Sequence, residues 1–298
     1  MSVDCIYVAA SRHDARFTRT CIASIRYFYP DIPVKLLVGG QLEKRLVSEL
    51  AEYPNLTFAD LPRRNYGWGF VKLEPLFGPP GERFLMLDSD TVLTGPVLRV
   101  ADENEHDFIV DREDEEESRA KEIYFDWTKF PADRARPFFF FNTGQWFGRS
   151  GVLRRDDFAE LIEWTSPPRL LEPSTFKNGE QGVLNFVVNT QFASGHISVL
   201  RVPLMCWPGR DTSAVNSEKV AAGSAPARIV HWAGFKGSFH GSLPRGDLLM
   251  FYENIYYRGL RNPLIQRAQG ICRHIAYRVG QRAKGRVGSV LRRLITAP

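Results

Sequence analysis

Long apolar runs are missing from this sequence of 298 residues. No uninterrupted stretch approaches the ~20 residues a membrane-spanning helix needs. The first thirty residues read as a strand and a helix rather than as a cleaved leader. Cysteine is also scarce. Cys5, Cys21, Cys206 and Cys272 lie far apart with no C-x-x-C pair, which excludes a disulfide scaffold or a zinc site built from them. Cys5 and Cys21 sit among apolar neighbours, as buried thiols in a reducing cytoplasm would. Three signatures are absent as well. Without G-x-G-x-x-G after the first strand the chain is no dinucleotide dehydrogenase. Without G-x-x-x-x-G-K-[ST] it is no P-loop NTPase, and without G-x-S-x-G it lacks the common hydrolase elbow.

Acidic residues are missing from one region only. From Arg258 to Pro298 there are ten basic residues and no Asp or Glu, so the formal net charge of +5 comes from the tail. The remaining 257 residues carry 29 basic and 34 acidic side chains and are mildly acidic, which argues against a nucleic-acid-binding domain. Leu264, Ile265, Ile271, Ile275, Val279, Val287, Leu291 and Leu294 recur at roughly helical spacing among those charges. Two readings of the tail stand: a basic amphipathic helix on an anionic membrane surface, or a solvated disordered segment.

What is present is an alternation of strand and helix patterns. Cys5 to Ala10 is an apolar run of strand length. Asp14 stands where it would cap a helix with Phe17, Cys21, Ile25 and Phe28 on one face. Val34 to Val38 reads as a second strand, Leu42, Leu46 and Leu50 as a helix face, and Leu56 to Ala59 as a third strand. Arg83 to Leu87 is a fourth. The pattern predicts an α/β fold, with a mostly parallel central sheet and helices on both faces. The second half is less regular. The acidic run 111–118 reads as a solvated loop or helix start. Phe138 to Phe141, Ile197 to Leu204 and Arg228 to Trp232 read as strands.

Polar groups at the carboxyl ends of such strands are placed for chemistry. Asp88-Ser89-Asp90 follows the fourth strand directly. Two carboxylates in a tight turn can hold one hard divalent cation whose remaining positions take substrate phosphates. His231 ends another strand and can supply a third, neutral ligand. Gly234-Phe235-Lys236-Gly237 offers a cation and backbone amides for a diphosphate. Glu180-Gln181, before an apolar helix, suits hydrogen bonding to a polyhydroxylated ligand or equally a helix cap. In Asn142-Thr143-Gly144, Gly allows close backbone approach and Asn supplies a donor and an acceptor.

Taken in chain order, IYVAAS, FLMLDSDTVL, FNTGQWF, EQGVLNF and HWAGFKG resemble the retaining glycosyltransferases of family 8, which transfer sugars from nucleotide diphosphates on a Rossmann-like GT-A fold. The resemblance spans roughly residues 4–240. It implies a site for manganese, or magnesium, made by Asp88, Asp90 and His231. It places Ala9, Ala10, Ser11 and Asp14 at the nucleoside of a UDP-sugar. Lys72, Ser89, Gly234 and Lys236 fall beside the donor, Asn142 and Gly144 at the donor-sugar turn, and Glu180 and Gln181 near the anomeric carbon. Residues 1–257 would form the transferase domain, with 1–100 binding the nucleotide sugar and 101–257 the acceptor, and 258–298 the basic tail.

The implied partners are a glycan or lipid-linked glycan acceptor and, through the tail, the inner face of the cytoplasmic membrane. No nucleic-acid partner is implied. Two features depart from the family. Lys236 comes one residue early and without the usual Pro-Trp, and Glu180 stands in place of Asp. An inverting GT-A transferase and a non-catalytic carbohydrate- or membrane-binding protein remain the competing expectations.

Overall fold

The structure, a computed structural model, describes residues 3–260 apart from 41, 43, 64, 68, 114, 115, 131–136, 211 and 236–238, together with scattered positions between 262 and 279. The alternation in the first hundred residues is realised as β1 (Cys5–Ala10), α1 (Ala15–Phe28), β2 (Val34–Val38), α2 (Lys44–Leu50), β3 (Leu56–Phe58), β4 (Arg83–Asp88), β5 (Thr91–Leu93) and α3 (Arg99–Asp102). The second half adds β6 (Phe108–Asp111), α4 (Glu117–Ile123), β7 (Gln145–Arg149), β8 (Ile162–Glu163), β9 (Arg169–Leu170) and α5 (Glu180–Ala193). It continues through β10 (Val199–Val202), β11 (Met205–Cys206), α6 (Ser217–Ala221), β12 (Ile229–His231) and α7 (Gly246–Arg258).

Among the described residues these strands make a seven-stranded sheet in the order β10-β6-β7-β4-β1-β2-β3. Every pairing in it is parallel except those of β7 with β4 and β6. Strands of both halves therefore share one sheet. β1 and β4 lie at its centre, covered on both faces, which is why their sequences are continuous apolar runs rather than alternating ones.

One face is covered by α1 and α7. Phe17, Cys21 and Ile25 pack there with Leu248, Leu249 and Tyr252. Arg16 and Glu253 pair at 2.9 Å across the two helices, and the Tyr252 hydroxyl donates to the Leu93 carbonyl at 2.5 Å. The opposite face is covered by α5 and the 3-10 helix Phe70–Phe77. No helix among the described residues is long and apolar enough to cross a membrane.

Three local expectations are corrected. The strand expected over Phe138 to Phe141 lies further on, at Gln145–Arg149, and Phe138 is exposed. The phenylalanine run is instead held by a helix. Asn189 Oδ1 accepts from the Phe138 and Phe139 amides at 2.8 and 3.3 Å, and Asn185 Oδ1 from the Phe141 amide at 3.0 Å. The two side-chain amides donate back to the Phe139 and Phe141 carbonyls at 2.9 Å. Residues 185 and 189 are four apart, hence on one helix face, and together they imitate the edge of a strand.

Asp14 occupies the N-cap position of α1 but makes no cap bond; its carboxylate accepts from the Ser11 hydroxyl at 2.7 Å. The acidic run does start a helix, at Glu117, but it is not wholly solvated. Asp111 ends β6 buried and accepts from the Leu204 and Met205 amides at 2.7 and 2.8 Å.

Asn185→Ala leaves a buried amide and carbonyl of Phe141 without partners, and each such group costs about 1–3 kcal/mol. We expect urea denaturation to show a loss of roughly 2–4 kcal/mol. A midpoint equal to that of the unaltered protein would show that the helix does not hold this segment.

Candidate active site

The site is assembled where β1, β4 and β12 end. Ala9 lies beside Asp88 in the parallel β1–β4 pair, and the Ala9 carbonyl accepts from the Ser89 amide at 3.2 Å. The turn after β4 is closed by the Thr91 hydroxyl, which donates to the Asp88 carbonyl at 2.7 Å. It leads straight into β5, which pairs antiparallel with β12 and sets His231 opposite Thr91. The Trp232 amide adds a bond to the Asp90 carbonyl at 2.9 Å. Backbone pairing alone thus brings residue 231 beside residues 88 and 90.

The side chains follow. His231 Nε2 lies 3.2 Å from Asp90 Oδ1 and 3.9 Å from Asp88 Oδ2. One ligand atom from each of the three falls within 4.8 Å of the others. Asp90 and His231 are buried and Asp88 is partly open.

Two carboxylates and one imidazole, gathered on one side, suit a hard or borderline divalent ion with positions left for substrate oxygens. A thiol close by does not change this donor set. Cys21 lies beneath the turn, 3.8 Å from the Thr91 hydroxyl, and burial pushes its pKa up to about 12, so it stays a neutral thiol.

Next to the carboxylates is a buried ionic cluster. Lys72, from the 3-10 helix, reaches Asp88 Oδ1 at 3.1 Å and Glu180 Oε1 at 2.5 Å. Thr143 completes it. Its hydroxyl donates to Glu180 Oε1 at 3.2 Å, its amide lies 3.4 Å from Gln181 Oε1, and its carbonyl accepts from Lys72 at 3.3 Å. Burial works against the Lys72 ammonium, but Asp88 and Glu180 outweigh it and hold its pKa above the ordinary lysine value. The Lys72 charge therefore persists through neutral pH, and the stabilisation it gives is lost only as alkaline pH rises through the raised value, while burial pushes the Glu180 carboxyl above the ordinary glutamate value against the pull of Lys72.

Glu180 is the first residue of α5, and its Oε2 has no hydrogen-bond partner among the described residues. Gly69, at φ +85°, makes room for it; a methyl group there would overlap that oxygen.

These groups line one cavity of about 1160 Å³. Ala9, Ala10, Ser11, Asp14, Lys72, Asp88, Ser89, Asp90, Asn142, Glu180, Gln181, His231 and Gly234 all border it. Gly144 does not. It lies against the Cε1–Nδ1 edge of the His231 ring, where a Cβ would come 2.7 Å from Nδ1. Lys236 falls outside the described residues.

Sequence reasoning gave no role to several residues of the cavity, among them Gly39, Gly40, Thr143, Trp207 and Arg210. Thr143 stood inside a motif already singled out. Trp207 carried its own signal, an aromatic residue beside Pro208-Gly209 after a short strand. Glu113, Arg119 and Tyr124 also line the cavity, which brings part of the acidic run and α4 to the site.

No family model matches the sequence and no curated protein does. Solved structures do match. The galactosyltransferase LgtC, in complex with donor and acceptor sugar analogues, aligns over 85% of this chain and 95% of its own at 14% identity and a TM-score of 0.58. The bifunctional glycosyltransferase WbbM aligns over 86% of this chain and 50% of its own, at 14% identity and a TM-score of 0.52. The glycosyltransferase GlyE of Streptococcus pneumoniae aligns over 92% and 64%, at 16% identity and 0.51. The chain has the GT-A glycosyltransferase fold, in agreement with the resemblance of its motifs to family 8.

Lys72→Met leaves Glu180 and Asp88 without their shared cation. Removing one partner of a buried pair typically costs about 3–5 kcal/mol, and we expect chemical denaturation at pH 7 to show a loss of that order. A variant as stable as the parent would mean that the cluster is not charged.

Proposed function

We propose that the protein is a glycosyltransferase of the EC 2.4 class that moves a hexose from a UDP-sugar to a hydroxyl of a glycan or lipid-linked glycan, with manganese or magnesium as its cation and with retention of anomeric configuration. One observation carries this reading. Asp88, Asp90 and His231 converge on one wall of a cavity that Lys72, Glu180 and Gln181 also line, in a GT-A fold.

In this reading residues 1–257 are the transferase unit. Ala9, Ala10, Ser11 and Asp14 face the nucleoside from the first half. Glu113, Arg119 and Tyr124 supply the acceptor side from the second.

Asp88, Asp90 and His231 would hold the cation. When bound, it supplies Lewis-acid stabilisation of the charge on a diphosphate. Breaking the sugar–phosphate bond leaves negative charge on the phosphate and oxocarbenium character on the sugar. Lys72 keeps a fixed positive charge beside the leaving group, already paid for by its two carboxylates. Glu180 and Gln181 are positioned at the sugar by Thr143 and Lys72. Gln181 is an amide and a poor nucleophile, so no covalent glycosyl-enzyme is assigned to it. The acceptor hydroxyl attacks on the face that the phosphate leaves, and its proton passes to the departing phosphate oxygen.

The tail reading rests on its ten basic residues without an acidic one, and on the exposure of Leu264, Ile265, Ile271, Ile275 and Val279. An anionic inner-leaflet surface would attract it by about 1 kcal/mol for each Lys or Arg near the surface.

Asp88→Asn is expected to remove detectable sugar transfer while the circular dichroism spectrum stays unchanged. Undiminished turnover would take Asp88 out of the site. NMR of the product is expected to show the donor's anomeric configuration, and an inverted product would reject same-face attack.

A further inference from the structure

A metal-bound histidine needs its ring plane fixed, because rotation about the Cβ–Cγ bond is broad and roughly two-fold. The usual device is a hydrogen bond from the ring nitrogen that does not face the metal. His231 lacks it. The ring is buried, Nε2 faces Asp90, and Nδ1 has no hydrogen-bond partner among the described residues. Something else must orient it.

Two contacts among the described residues do so. The indole of Trp207 lies nearly parallel to the imidazole, with ring centroids 5.5 Å apart and planes inclined by 18°. That is within the range of offset aromatic stacking. Gly144 closes the other approach. It presses on the Cε1–Nδ1 edge so closely that a Cβ would overlap Cε1, and its own amide is tied to Asn142 Oδ1 at 2.8 Å.

We infer that Trp207 and Gly144 are the positioning residues of the cation site: they clamp the face and the edge of the His231 ring and aim Nε2 at the two carboxylates in place of a hydrogen bond. The inference rests on the metal-dependent reading of the site. It adds a residue, Trp207, that acts through His231, and it gives Gly144 a task other than sugar contact. It also explains why position 144 carries glycine although its φ does not require one.

The test is Mn²⁺ affinity, read from the electron paramagnetic resonance of free Mn²⁺ during titration, with the ion alone and again with UDP present. Trp207→Ala should weaken binding about ten-fold, the lower end of what loss of an outer-shell partner costs. Trp207→Phe, which keeps an aromatic face, should recover most of the affinity. In a His231→Ala background, Trp207→Ala should have no further effect, because its influence passes through the ring. Pulsed measurements should show one coordinated imidazole nitrogen in the parent and in Trp207→Phe, with a reduced coupling in Trp207→Ala.

A folded Trp207→Ala protein with parental Mn²⁺ affinity would overturn the inference, as would Trp207→Phe no better than Ala. An equal loss with and without His231 would overturn it too. These outcomes are separate from the fate of the transferase reading. A protein with the expected Mn²⁺ series but no sugar transfer would contradict that reading alone, and a transferase indifferent to Trp207 would contradict the clamp alone.

Discussion

The pairing of β12 with β5 is the constraint on which the site depends. It is three residues long and sets His231 opposite Thr91, immediately after the Asp88-Ser89-Asp90 turn. More than 140 residues of chain separate the carboxylates from the imidazole, and this short ladder removes that distance. The Trp232 amide to Asp90 carbonyl bond extends the same register by one step. A slip of one residue would turn the imidazole to the other face of the ribbon, because side chains alternate with a period of two. The site is therefore fixed by backbone hydrogen bonds, with side-chain chemistry added to a frame already in place.

The second element is the charge cluster beneath it. Lys72 and Glu180 are almost fully buried, an arrangement that is costly unless the charges are paired. Here the pairing runs through the candidate site itself. Lys72 touches Asp88, a carboxylate of the candidate cation site, on one side and the first residue of α5 on the other. The two halves of the cavity are thereby joined electrostatically, and Thr143 fixes the amide of Gln181 to the same cluster. Such preorganisation suits a reaction in which charge develops at one place and must be met without rearrangement.

Much of the fold was legible in the chain because buried parallel strands are written as apolar runs. Cys5–Ala10 and Val34–Val38 were expected with the bounds they have, and Arg83 to Leu87 extends by one residue. The approach of His231 to Asp88 and Asp90 was legible because each ends or follows such a run, at the end of the sheet where α/β folds present polar groups. The Phe138 to Phe141 run misled for a physical reason. Its apolar composition says buried, but its hydrogen-bond partners are Asn185 and Asn189, whose polarity in the middle of a helix says nothing about a segment more than 40 residues earlier. Thr143 and Trp207 escaped for a related reason. A threonine hub and an aromatic stack are defined by partners distant in sequence, and no local period marks them.

A fold shared with glycosyltransferases at 14% identity leaves the chemistry to the residues. The central claim is that Asp88, Asp90 and His231 hold one divalent cation at the cavity wall. Anomalous X-ray scattering at the manganese edge, from crystals soaked in Mn²⁺ and UDP, tests it most directly. A single strong peak is expected between the Asp88 and Asp90 carboxylates and His231 Nε2, with diphosphate oxygens on its open side. Density for the nucleotide with no manganese peak among these three side chains would contradict it.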